Sequence, residues 1–139
     1  APLLGDGIEL GGAAFPTAVE PGDTLPVTLG WRAGDAAPAA DYTAFVQLLG
    51  PSGLVAQSDA YPTARLEGRT LVRPTSGWVA GEVVGDHHIL TVPLTLPPGD
   101  YRLIAGLYDL AQGGARLPAT LDGRALADAA VPLGAVRVR

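Results

Sequence analysis

The sequence predicts an all-β protein, an immunoglobulin/fibronectin III-like antiparallel β-sandwich of seven to nine strands. In the segment Leu94–Asp109, a Pro-Pro-Gly-Asp turn leads into an apolar strand that carries Tyr101 near its start. A tyrosine at such a corner buries its ring between two sheets while its hydroxyl bonds nearby backbone. Apolar residues also alternate with period two over Thr24–Arg32. The 19 glycines and 13 prolines are dispersed between short apolar runs, which is typical of turns between strands.

Length, composition and charge set the class of protein. A chain of 139 residues suits one domain, residues 1–139, with a core that needs neither metal nor disulfide support. Because 47% of the residues are hydrophobic and 17% charged, disorder is excluded. The net charge of -5 argues against nucleic acid or an anionic membrane surface as a partner. No apolar run is long enough for direct membrane insertion, and the absence of an initial methionine suggests a processed or excised segment.

The first half of the chain gives five predicted strands. In the third of them Leu25, Val27, Leu29 and Trp31 share one face, so Trp31 is predicted to lie in the core. The fourth is apolar on both faces and suits a central strand, and a Gly-Pro-Ser-Gly turn joins it to the fifth. In order, the five strands are Gly7–Leu10, Phe15–Val19, Thr24–Arg32, Asp41–Leu49 and Leu54–Ser58.

The second half gives further candidates, and the alternation of the first of them continues through the second. Pro93 lies inside the second of these and places it at a sheet edge, because proline cannot donate to a ladder. A hairpin turn is predicted around Gly113 and a loop over Leu121–Ala130. In order, the strands are Val79–Val84, His88–Leu96, Tyr101–Tyr108, Arg116–Thr120 and Val131–Val138.

Between these halves the alternation fails, and a long irregular loop is predicted at about residues 59–78. A third of the cations of an acidic protein fall inside this segment, which also carries two aromatic residues. Aromatic faces stack on sugar rings and planar arginines donate to sugar hydroxyls, so the candidate ligand-binding residues are Tyr61, Arg65, Arg69, Arg73 and Trp78. The alternative is that Trp78 fills one end of the sandwich and that the arginines pair with carboxylates on a solvated surface.

No residue pattern predicts a catalytic, metal or cofactor site. His87 and His88 are adjacent in a strand and point to opposite faces, which predicts one satisfied and one solvated ring rather than a zinc site. The serines lie outside any nucleophile motif, and no glycine-rich loop is placed to bind phosphate. Paired carboxylates remain as a remote alternative for glycoside hydrolysis, with Glu82, Asp86, Asp109 and Asp122 as candidates.

Several phrases together resemble a recurrent bacterial domain. They are TLPVTLGWRA, DYTAFVQLLGPSGLVAQSDAYPT, WVAGEVVGDHHILTVP and LPPGDYRLIAGLYD, and the likeness runs from about Ile8 to Val138. The domain lies at the extracytoplasmic C-terminus of predicted polytopic glycosyltransferases of the dolichyl-phosphate-mannose mannosyltransferase-like type. In that family the catalytic machinery belongs to the membrane part. The residues Ala64–Gly77 depart from the family pattern as an insertion that holds Arg65, Arg69 and Arg73.

The resemblance implies a non-catalytic accessory module of a membrane-associated cell-envelope protein. It places the domain on the extracytoplasmic face of the cell membrane, or outside the cell in a secreted form. The expected partners are a glycan or a membrane-embedded glycosyltransferase region. The alternative is a structural or protein-interaction domain that docks another chain through a sheet edge or loop face, without a small-molecule ligand.

Overall fold

Two sheets of six strands pack against each other and enclose the core, as the computed structural model of residues 1–139 shows. The first sheet has the order β13-β12-β1-β2-β4-β9, and the second has the order β3-β14-β10-β5-β6 with β11 paired to β10. All pairs are antiparallel except β3 with β14. Strands β7 and β8 form a separate hairpin. The all-β sandwich predicted from the sequence is confirmed.

Seven strands of at least seven residues form the framework: β2 (Ile8–Ala14), β4 (Thr24–Arg32), β5 (Thr43–Gly50), β6 (Gly53–Ala60), β9 (Val83–Thr91), β10 (Gly99–Asp109) and β14 (Val131–Val138). Seven shorter ones complete the structure: β1 (Leu3–Leu4), β3 (Ala18–Val19), β7 (Thr63–Leu66), β8 (Arg69–Val72), β11 (Ala115–Arg116), β12 (Ala119–Leu121) and β13 (Arg124–Ala125). The total exceeds the seven to nine predicted because segments of two to four residues are too short to show alternation. Three single 3₁₀ turns cover Thr75–Gly77, Leu110–Gln112 and Ala127–Ala129.

Two strand predictions in the middle of the chain were wrong. Residues 79–82 form a turn closed by a hydrogen bond from the Glu82 amide to the Val79 carbonyl, and the strand that follows, β9, ends at Thr91. Leu94, inside the predicted strand His88–Leu96, is therefore in a turn and 81% exposed. The predicted edge position is confirmed, since β9 lies at the end of its sheet, but the reason given for it was wrong, because Pro93 lies beyond the strand.

The other boundary errors lie near the chain ends. The predicted strand Gly7–Leu10 continues to Ala14, because the glycine pair that follows Leu10 forms a bulge inside β2, between Leu10 and Gly12, and does not end the strand. The predicted strand Arg116–Thr120 is divided between β11 and β12, and the predicted loop Leu121–Ala130 contains β13. A bulge absorbs an extra residue without ending a strand, so the glycines alone could not distinguish the two outcomes.

The core is apolar with a polar centre on β9. Trp31 is fully buried, as predicted, and Tyr101 donates its hydroxyl to the Pro97 carbonyl at 2.7 Å, which confirms the tyrosine corner. The side chains of Asp86 and His88 are also buried, facing the same interior as the aliphatic residues of β9. Because Asp86 was a candidate for glycoside hydrolysis, one of the candidate residues lies in the core.

Candidate functional site

The segment predicted as a long irregular loop is largely an ordered β-hairpin. Thr63 pairs with Val72 and Leu66 with Arg69, across a two-residue turn at Glu67 and Gly68. Both turn residues have positive φ, 51° and 77°, as the tight hairpin turns that suit twisted strands require. The prediction of irregular structure was wrong because glutamate is an unusual first residue for such a turn, so the short alternation on either side went unrecognised.

Trp78 does not face a ligand. Its side chain is 1% exposed and belongs to the main hydrophobic cluster, and its indole Nε1 donates to the Arg73 carbonyl at 2.9 Å. A ring in this position cannot stack on a sugar, so its place in the predicted binding set was wrong. The alternative, in which this tryptophan fills the interior, is the one that the structure confirms.

Arg73 is held in an ion pair. Its guanidinium makes two parallel hydrogen bonds to Glu82, at 3.0 Å from Nε and 2.7 Å from Nη2. The bonds raise the pKa of Arg73 and lower the pKa of Glu82, whose Oε1 also accepts from the Val79 amide. The pair ties the end of the hairpin to the start of β9. Arg73 is thus a structural anchor rather than a free sugar donor.

Arg65 and Arg69 are exposed near the tip of the hairpin. Arg65 lies 3.5 Å from the Thr70 hydroxyl, and neither arginine forms an ion pair. No cleft is lined by either of them. The structure therefore separates these two arginines from the remaining member of the predicted set, Tyr61.

Tyr61 lines an open cleft at one end of the second sheet, and its side chain is 44% exposed. The cleft has a volume of about 550 Å³. It is formed where β5 begins, where β6 has just ended and where β10 passes into a 3₁₀ turn. Its lining residues are Ala40, Asp41, Tyr61, Asp109, Leu110, Ala111 and Gln112.

The two carboxylates in the cleft have spare acceptor capacity. One oxygen of Asp41 accepts from the Ser76 amide at 3.0 Å, and one oxygen of Asp109 accepts from the Ala111 amide at 3.1 Å. Neither second oxygen has a protein donor. Together with the Tyr61 ring and the Gln112 amide, these groups give an aromatic face beside several acceptors, the combination that orients small polar ligands. Asp41, Asp109 and Gln112 were not among the predicted binding residues.

A second constellation, also missed, is a buried hydrogen-bond network between the sheets. Asp86 accepts from Trp31 Nε1 at 3.0 Å, from His88 Nε2 at 2.8 Å and from the Thr63 amide at 2.9 Å. His88 Nδ1 lies 2.8 Å from the Ser58 hydroxyl on β6 of the opposite sheet. The sequence does indicate that Asp86 is buried, because its position alternates in phase with the buried residues of β9.

The Ser58–His88–Asp86 chain has the residue types of a hydrolytic triad, but its surroundings suit a structural role. The imidazole is 1% exposed, and no cleft is lined by any of the three residues, so a substrate has no approach to the serine and the ring together. Instead the network satisfies a buried carboxylate and joins the two sheets. The prediction of one satisfied histidine, His88, and one solvated histidine, His87, is confirmed.

The carboxylates considered for glycoside hydrolysis lie in different parts of the structure and have different roles. Glu82 is paired with Arg73, Asp86 is buried under its donors, and Asp122 lies in the turn between β12 and β13. Asp109 alone lines the cleft. No three histidine, cysteine, aspartate or glutamate side chains are grouped so as to hold a metal ion. No helix combines the length and apolar character needed to cross a membrane.

Fold and site together define a two-sheet β-sandwich with an open cleft lined by Tyr61, Asp41 and Asp109, and with a β7–β8 hairpin beside β9. No protein family model matches the chain, and no curated protein matches it significantly.

Proposed function

We propose that this domain is a non-catalytic accessory module that binds a neutral glycan in the Tyr61 cleft. The observation that carries the proposal is the exposed Tyr61 ring in an open cleft with the unpaired oxygens of Asp41 and Asp109. Sugar rings present C–H faces to an aromatic ring and hydroxyl donors to carboxylates at their edges. Each group of the cleft then has a partner on such a ligand.

The charge of the cleft selects the class of sugar. Two aspartates line it and no arginine does, so a uronic acid or a phosphorylated sugar would meet like charge. A neutral sugar uses the same carboxylates as hydrogen-bond acceptors. Acidic glycans are thus expected to bind poorly.

The proposed location rests on the family resemblance. A domain on the extracytoplasmic face of the membrane would hold its parent enzyme near envelope polysaccharide. Alkaline phosphatase fused to the domain within the complete protein should be active in whole cells. A fusion that is made at full length but is inactive would contradict this location without bearing on sugar binding, because the disulfides of the phosphatase do not form in the cytosol.

Calorimetric titration with neutral and uronic-acid oligosaccharides tests the cleft. At least one neutral oligosaccharide should bind saturably, and Tyr61→Ala should weaken its affinity about tenfold, since aromatic contacts contribute roughly 1 kcal/mol. Tyr61→Phe should retain most of the affinity because it keeps the ring. Leu94→Ala, at an exposed aliphatic residue that does not line the cleft, is the matched control. Failure of every neutral glycan with folded protein would refute the proposal.

A further inference from the structure

We propose that the free edge of β8 is a docking strand for an extended acidic segment of a partner protein. Strand β8 pairs only with β7, and all four of its residues, Arg69–Val72, are exposed. A two-stranded hairpin is marginally stable in water unless it packs on other structure. This one is fixed at its base by Thr63, which bonds Asp86, and by the ion pair of Arg73. The far edge is left open.

The register shows which backbone groups face outward. The Arg73 amide donates to the Pro62 carbonyl at 2.7 Å, so the backbone N–H of Arg73 faces the chain that leads into β7. The direction of the backbone N–H and C=O groups alternates along a strand. Those of Leu71 and Arg69 therefore also face β7, and those of Thr70 and Val72 face outward. An added strand can therefore bond the N–H and C=O groups of Thr70 and Val72, as in β-augmentation.

The side chains define the chemistry of the partner. Arg65 and Arg69 lie near the tip of the hairpin without a carboxylate partner, and only Glu67 opposes them in charge there. Toward the base, Leu71 is 40% and Val72 64% exposed. Cross-strand partners share a face, so Arg65 lies on the face of Thr70 and Val72, and Arg69 lies on the face of Leu71. Each face therefore carries one arginine near the tip and one aliphatic residue toward the base. A complementary strand carries consecutive carboxylates at its tip end and consecutive aliphatic residues at its base end. The chain as a whole has a net charge of -5, whereas Arg65 and Arg69 against Glu67 give the hairpin tip a net charge of +1.

The other sheet edges are less available for pairing. On β9 the His87 amide already donates to the Thr63 hydroxyl at 2.9 Å, so β7 covers the middle of that edge. Strand β6 carries a bulge where Leu48 and Leu49 pair with Ala56 and Leu54, and bulges discourage edge pairing. The remaining edge strands, β3, β11 and β13, have two residues each. The hairpin edge is the one that combines free backbone groups with complementary side chains.

Fluorescence anisotropy with two labelled hexapeptides tests the proposal: one has three valines followed by three aspartates, and the other has three valines followed by three lysines. Antiparallel pairing with β8 places the charged half of either peptide near the hairpin tip. The acidic peptide should bind and the basic one should not. Replacing Arg65 and Arg69 together by glutamate should weaken binding of the acidic peptide about tenfold, given the energy of two exposed ion pairs. Binding of both peptides alike, or of neither, would overturn the proposal.

A backbone variant separates edge pairing from simple charge attraction. Thr70→Pro removes an outward N–H without interrupting the β7–β8 ladder, and it should abolish binding, whereas Thr70→Val keeps the N–H and should bind as the parent does. The Arg65 and Arg69 replacements remain a test if the proline variant unfolds the hairpin. Undiminished binding by Thr70→Pro would contradict docking at this edge. A concentration-dependent dimer in sedimentation would instead assign the edge to a second copy of the chain and overturn the peptide assignment.

Discussion

Removing the Asp86 carboxylate should destabilise the domain more than any surface substitution. The side chain is fully buried and accepts from Trp31 Nε1, His88 Nε2 and the Thr63 amide. Asp86→Ala leaves these three donors buried without an acceptor, and each such group costs about 1–3 kcal/mol. Loss of one partner from a buried polar network typically costs about 3–5 kcal/mol in total. We expect a loss in that range, a large part of the roughly 5–15 kcal/mol that stabilises a domain.

Urea unfolding monitored by tryptophan fluorescence measures this loss. Asp86→Asn should fall between the parent and Asp86→Ala, because its amide keeps one acceptor oxygen but places an NH₂ group against a donor. Asp100→Ala is the control, since this exposed aspartate forms only a surface ion pair with Arg137 and should change stability by less than about 1 kcal/mol. The prediction is refuted if Asp86→Ala lowers the free energy of unfolding by less than about 1 kcal/mol, which is the limit expected for the control.

Three further predictions concern smaller elements. The pKa of Glu82 is lowered by its hydrogen bond with Arg73, so this pair stabilises the fold above the ordinary glutamate pKa of 4.5, and the stabilisation is lost as pH falls. The difference in the free energy of unfolding between parent and Glu82→Gln, measured in urea titrations, should therefore shrink in acid, and a constant difference would contradict the prediction. Burial and the Asp59 bond raise the pKa of Tyr108, so stability should fall as pH rises above 10.0, and Tyr108→Phe should remove that component; an identical alkaline profile would count against it. Gly106→Ala would place a methyl group 2.5 Å from the Phe45 ring, and thermal unfolding should show a loss of about 1–3 kcal/mol; unchanged stability would show that the ring moves freely.

The framework of the fold could be predicted because a long strand shows a clear period-two alternation of apolar residues. Thr24–Arg32 matches β4 at both ends, and Tyr101 forms the corner that the turn before it indicated. Short strands could not be found this way, because β7 and β8 have four residues each and pair mainly with each other. Their alternation is too brief to distinguish from a loop.

The candidate site was predicted only in part, since exposure depends on tertiary contacts. Trp78 and Tyr61 are both aromatic residues of one segment, yet packing buries the first and leaves the second 44% exposed. Arg73 and Arg65 are likewise alike in sequence, and only the position of Glu82 distinguishes the anchored one from the free one. Asp41 and Asp109 are 68 positions apart and meet in the cleft through the pairing of β5 with β10, which no local pattern reveals.

Amide chemical shifts during titration with a neutral oligosaccharide report directly where the ligand binds. A ligand in the Tyr61 cleft should cause the largest shifts at Asp41, at Tyr61 and over residues 109–112, and should leave the Trp78 indole unchanged. Shifts centred on the hairpin residues 63–72 or on the Trp78 indole would contradict binding in this cleft.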